Sequence, residues 1–130
     1  MKYLCHLLRS YPLSCILFAV IWYLCFFTPP HTKLDDIAFI DKWTHIIMYA
    51  GTCSVLWLEY VKRHTKADGR KLLLLAIIAP TLMSGLIEIL QEYCTDGRRD
   101  GDWLDFAANT TGVLIGALLG LLWAKYRAIL

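Results

Sequence analysis

The sequence predicts an all-α polytopic membrane protein, a four-transmembrane-helix bundle with N-terminus and C-terminus cytoplasmic, and three observations carry that expectation. The composition is 58% hydrophobic and 18% charged with mean hydropathy +0.50, too apolar for an ordinary soluble domain of 130 residues. Four apolar segments approach or reach the ~20 residues that cross ~30 Å of hydrocarbon as a helix. The basic residues are shared unevenly between the connections. Lipid offers no hydrogen-bond partner to a backbone outside its own segment, and no stretch shows the period-2 alternation of a barrel strand, so helices are expected throughout. The chain reads as one membrane domain over 1–130.

The first segment, about 11–28, follows Lys2 and Arg9 and runs into Phe26, Phe27, Thr28, Pro29 and Pro30. Those prolines end a helix, and no small-residue cleavage pattern marks a removable signal, so the segment is expected to stay. The second, about 43–61, begins behind Asp41 and Lys42. The third, about 72–93, contains Pro80, which deprives the Ala76 carbonyl of its intrahelical donor and predicts a kink. The fourth, about 103–123, carries Gly112, Gly116 and Gly120 at intervals of four, the small-residue spacing that lets two membrane helices approach closely. The same glycine face is the obvious surface for a homodimer.

Orientation follows from Lys and Arg. A cytoplasmic N-terminus leaves Lys2, Arg9, Lys62, Arg63, Lys66, Arg70, Lys71, Lys125 and Arg127 inside, and only Lys33, Lys42, Arg98 and Arg99 outside. The unusual polar residues then gather at the outer end: Asp41 and His45 at the start of the second segment, Glu88, Gln91 and Glu92 near the end of the third, Arg98 and Arg99 in the loop, and Asp102 and Asp105 at the start of the fourth. The other half of the bundle shows no polar residues to complete a transport pathway.

Spacing assigns these residues to faces. Asp41, His45 and Tyr49 recur every four positions and drift only ~40° per step, so they form one stripe. Asp105, Asn109, Gly112 and Gly116 form a second, and Ser84, Glu88 and Gln91 a third. A charged group in hydrocarbon costs roughly 2.5 to 3.5 kcal/mol on insertion scales, so such stripes face a protein interior or a watery site. A weak repeat also emerges: the second and fourth segments each open with an acid followed four residues later by His45 or Asn109.

Structural readings stand beside the functional ones. Asp41 and Asp102 suit helix capping, with Asp105 completing a box three residues after Asp102. Glu88 and Arg99 suit an ion pair between the third segment and the following loop. His45 has three readings, as a packed hydrogen-bonded residue, a proton carrier or a metal ligand. No His-rich or Cys-His spacing supports zinc, and 96–102 lacks the order of a calcium loop, so neither metal nor cofactor is expected. Cys5, Cys15, Cys25, Cys53 and Cys94 are odd in number without a CxxC and indicate no thiol chemistry, although Cys25 and Cys94 both fall near the outer surface, where the topology allows a disulfide.

Asp41, Lys42, His45 and Tyr49, then Glu88 and Gln91, then Arg99, Asp105, Asn109, Gly112 and Gly116 resemble the motif set of the VanZ-like family of small bacterial multi-pass membrane proteins, over about 41–120. The resemblance implies the bacterial plasma (inner) membrane as the location and an antibiotic-resistance role, since the family's named member is associated with reduced susceptibility to teicoplanin. It implies no established reaction or ligand.

The function expected is therefore binding or shielding at the outer leaflet. Asp41, Lys42, His45, Tyr49, Glu88, Gln91, Arg99, Asp105 and Asn109 would recognise an envelope lipid head group, a lipid-linked wall precursor or a lipoglycopeptide antibiotic. An enzyme acting on an envelope lipid head group is the alternative, with His45 as acid and base beside the carboxylates. The absence of a clear nucleophile weighs against it, Ser84 and Thr44 being ordinary in membrane helices. A small proton-coupled transporter or a structural partner of an envelope complex is the third reading. No nucleic acid partner is expected.

Overall fold

The computed structural model describes residues 2–27 and 33–127, apart from the side chains of 34 and 35, and among them every regular element is helical. The prolines expected to stop the first segment lie outside the described residues. The chain runs through α1 (Lys2–Ser10), α2 (Pro12–Phe26), a 3-10 turn (Lys33–Asp36), α3 (Ile40–Arg63), α4 (Gly69–Cys94) and α5 (Trp103–Tyr126).

The first helix is an addition to the expectation. Pro12 occupies the first turn of α2, where its missing N–H is no loss, and the chain turns through 101° between α1 and α2. What reads in sequence as a basic flank is thus a separate amphipathic helix, with Lys2, His6 and Arg9 among Leu4, Leu7 and Leu8.

In α4 the consequence of Pro80 is a π turn over Leu74–Ile78, where the Ala79 N–H reaches the Leu74 carbonyl five residues back. The extra residue per turn accommodates a ring that cannot donate, and the helix continues as one 26-residue element.

Two helices, Gly69–Cys94 and Trp103–Tyr126, are long and apolar enough to cross a membrane, and the bent pair Lys2–Ser10 and Pro12–Phe26 makes a third if counted as one span. The expectation of four is thus met in part. Helix α3 has the length, at 24 residues, but its polar side chains take it below the same apolar standard. It buries His45, Tyr49, Thr52, Cys53, Leu56, Trp57, Tyr60 and Val61. The outward faces of its neighbours expose Ile16, Val20, Leu82, Leu86, Leu114 and Leu118, an apolar surface suited to lipid.

Helices α3 and α5 lie parallel and in intimate contact. A Cβ placed on Gly112 would sit 2.5 Å from the Ile46 carbonyl oxygen, and one on Gly116 would sit 2.7 Å from the Cys53 Cβ. At Gly120 it would overlap the Trp57 indole. The glycine spacing therefore works within the chain. The face expected to receive a second copy is filled by α3, which corrects the homodimer surface read from sequence.

The end away from the polar cluster holds Tyr11, Leu56, Trp57, Tyr60, Val61, Leu72, Ala76, Ala117 and Ala124 in one apolar core. Its edge carries a charge that the sequence reading passed over. Glu59 of α3 accepts hydrogen bonds from the Leu13 N–H (3.0 Å), the Ser14 N–H (3.1 Å) and the Ser14 hydroxyl (2.6 Å). Tyr11 offers no side-chain cap, so a carboxylate from a neighbouring helix satisfies the first N–H groups of α2 instead. This half is thus not devoid of polar residues, though Glu59 is engaged as a cap.

Candidate functional site

The two parallel helices bring their N-terminal ends together, and α4 arrives beside them from the opposite direction. Lys42 lies among three carboxylates: Asp105 Oδ1 at 2.5 Å, Asp102 Oδ2 at 2.6 Å and Asp41 Oδ2 at 3.3 Å from its Nζ. Charge-assisted bonds of this kind are the strong ones, and here they tie α3 to α5.

One turn deeper, His45 is 5% exposed and its Nδ1 lies 2.8 Å from Asn109 Oδ1. The Asn109 amide nitrogen donates to Ser84 Oγ at 2.8 Å and Glu88 Oε1 at 3.4 Å. With both amide hydrogens directed at α4, the Asn109 oxygen must accept, which assigns the proton to His45 Nδ1. His45 Nε2 then faces Asp41 Oδ1 at 3.6 Å and Asp105 Oδ2 at 3.7 Å.

Both capping expectations are resolved. Asp102 is the N-cap of α5 and accepts from the Leu104 N–H at 2.8 Å. Asp105 does not complete a capping box; its carboxylate belongs to Lys42, and Glu88 Oε2 takes the Asp102 N–H at 3.0 Å from across the interface. Asp41 is not a cap, because Phe39, at φ 60°, holds that position for α3. In the first turn its charge still suits the positive end of the helix. The Lys42 ammonium, and then the Leu104 N–H, hold the Asp102 carboxyl below the ordinary carboxylate range.

The Glu88–Arg99 ion pair is also corrected. Among the described residues Glu88 makes no ion pair with Arg99, and its two oxygens serve Asp102 and Asn109. The Arg99 backbone is held by Thr95, whose hydroxyl donates to the Arg99 carbonyl at 2.9 Å and accepts from its N–H at 3.0 Å. Thr95 is buried and was missed, since a lone threonine past a helix end carries no periodic signal. Glu92 accepts from the Gly101 N–H at 3.0 Å, so it braces the loop.

Two residues of the expected site prove to be interior packing. Gln91 donates to the Cys25 carbonyl at 2.7 Å, satisfying one of the orphan acceptors at the end of α2. Tyr49 is fully buried among Ile21, Cys53, Ile87 and Val113, and its hydroxyl has no protein partner. The disulfide the topology allowed is not formed: all five cysteines are free, Cys25 buried and Cys94 exposed.

Beside the network lies a cavity of about 200 Å³ between the end of α2, the start of α3 and the 95–102 loop. Asp41, His45, Thr44 and Arg99 form its polar part, and Leu24, Phe27 and Met48 its apolar part. Of the nine expected binding residues, Asp41, His45 and Arg99 line this space. Lys42, Asp105, Asn109 and Glu88 stand behind them, and Tyr49 and Gln91 belong to the core. No protein-family description, curated protein or solved structure matches this chain.

Proposed function

We propose that the chain is a four-span, N-in and C-in protein of the bacterial plasma membrane, akin to the VanZ-like family, that binds the polar head of an envelope lipid or lipid-linked wall precursor at the outer leaflet. The observation that carries this reading is the divided lining of the cavity. A guanidinium from Arg99 suits a phosphate, the Asp41 carboxylate suits an amine or hydroxyl, and Leu24, Phe27 and Met48 suit the first methylenes of a tail. A lipid-tailed glycopeptide antibiotic presents the same division and is a second occupant on the same chemistry. The fourth span is α3, whose His45 turns inward onto Asn109 of α5 and whose Glu59 is taken up by α2, while Trp43, Ile47 and Leu58 face outward.

Native mass spectrometry of the full chain, released from bacterial membranes in mild detergent, tests this. A defined lipid on the wild type, lost in Arg99→Ala and weakened in Asp41→Asn, is the expected result. Equal lipid occupancy in all three proteins would overturn the reading.

One observation favours the enzyme alternative. Asn109 fixes the His45 tautomer, and Nε2 faces two carboxylates beside the cavity, an arrangement able to move a proton at a bound head group. Release of phosphate or alcohol from the co-purified lipid, abolished in His45→Gln, would move the conclusion from binding to catalysis.

A further inference from the structure

We propose that Asp41, His45 and Asp105 form a binding site for a divalent transition-metal ion of the Zn²⁺ or Mn²⁺ kind. The donor atoms lie within 4.8 Å of one another, with His45 Nε2 at 3.6 Å from Asp41 Oδ1 and 3.7 Å from Asp105 Oδ2. A tetrahedral ion with bonds of about 2.1 Å needs donors about 3.4 Å apart; His45 Nε2 is within a few tenths of an ångström of that spacing from each carboxylate, and the two carboxylates close the rest of the 4.8 Å span by rotation of the exposed Asp41 side chain.

The second observation is the imidazole itself. His45 is nine-tenths buried, its Nδ1–H is committed to Asn109, and the remaining nitrogen has no hydrogen bond: both nearest oxygens lie beyond hydrogen-bond range and repel its lone pair. A neutral imidazole whose other N–H is fixed by an acceptor, itself anchored to Ser84 and Glu88, is the arrangement found behind metal-bound histidines. Lys42 does not occupy the site. It binds Asp41 Oδ2 and Asp105 Oδ1, the oxygens that point away from His45, and so sets the rotation of both ligand carboxylates.

Charge favours a cation. Asp41, Asp102 and Asp105 carry three negative charges, Lys42 cancels one, and the N-termini of α3 and α5 contribute about half a positive charge each. Arg99 on the cavity wall and Glu88 behind the site offset each other, so a negative balance of about one charge remains. Asp41, with 60% of its side chain exposed, and the adjoining cavity provide the entry path. A mixed imidazole and carboxylate set suits Zn²⁺ and Mn²⁺, whereas Ca²⁺ and Mg²⁺ prefer all-oxygen ligands.

The test uses the full chain in detergent, freed of metal, and titrates Mn²⁺ while following the six-line electron paramagnetic resonance signal of the free ion, with Zn²⁺ as competitor. One Mn²⁺ per chain, displaced by Zn²⁺, is expected, with affinity at least tenfold weaker in Asp41→Asn and Asp105→Asn. Asp41→Asn alters an exposed side chain and leaves the fold intact, so it decides the matter even if Asp105→Asn fails to fold. Asp100→Asn removes an exposed neighbouring acid and is expected to leave binding unchanged. No stoichiometric uptake by the wild type, or an equal loss in Asp100→Asn, would overturn the proposal. Arg99→Ala separates the two sites: it is expected to lose lipid while keeping Mn²⁺.

Discussion

The two ends of the α3–α5 pair hold the same helices together by opposite means. At one end Gly116 and Gly120 let the α5 backbone rest against Cys53 and Trp57, and among the described residues no side-chain hydrogen bond joins the two helices there. At the other, Lys42 joins Asp102 and Asp105, and His45 joins Asn109. Close packing through small residues can hold two helices together without polar contacts. The polar end costs desolvation at every charge, and it is the end that opens to a cavity, where the proposed ligand site lies.

The largest effect expected from breaking this contrast lies at the glycine end. Gly116→Leu drives a side chain into the Cys53 Cβ and the Ala50 carbonyl, neither of which can yield, and is expected to destabilise by about 3 kcal/mol or more. Thermal unfolding in detergent reads this directly. A folded Gly116→Leu with an unchanged midpoint would show that the helices are not held at that distance.

Removing one member of the polar network comes next. Asn109→Ala leaves His45, Ser84 and a Glu88 oxygen without their partner and is expected to cost about 2 to 3 kcal/mol by the same assay. Smaller again is Glu59→Gln, which keeps a hydrogen-bonding head but removes the charge at the start of α2. About 1 kcal/mol is expected, together with faster amide exchange at Leu13 and Ser14.

The smallest effect sharpens the role of charge. Asp102 has a folded-state pKa below its unfolded value, so its contribution is present above the ordinary carboxylate pKa of 3.8 and is lost as pH falls through the lower folded value. The side chain is 39% exposed and solvent screens the pair, so no more than about 1 kcal/mol is expected. Asp102→Asn keeps the cap and loses the charge. The wild type is expected to be the more stable protein near neutrality, with the difference lost as pH falls below the ordinary carboxylate value of 3.8. A constant difference across that range would assign the effect to capping instead.

Helical periodicity explains what was legible in the sequence. Residues spaced by four placed Asp41 and His45 on one face, Asp105 and Asn109 on another, and the glycines below them, and these faces meet as parallel helices. Interactions that depend on chain paths were not legible. The Glu59 cap joins residues 46 apart, and no local pattern announces it. Glu88 was expected to seek the charge of Arg99, but the loop turns the Asp102 N–H toward it. Helix α1 was hidden because a short helix before Pro12 resembles a basic flank.

If the polar end serves the proposed ligand and the glycine end serves cohesion, the bundle survives loss of the polar network. The most direct test is the unfolding midpoint of a variant whose network is replaced by apolar groups of similar volume, Lys42→Met, His45→Leu, Ser84→Ala, Glu88→Met, Asp105→Val and Asn109→Val together, so that no buried member keeps an unpaired polar group. Replacing buried ionic groups in this way is often neutral or stabilising by about 1 to 4 kcal/mol, so a midpoint at or above that of the wild type is predicted. A midpoint well below the wild type, or a chain that fails to fold, would contradict the claim and make the network part of what holds the bundle together.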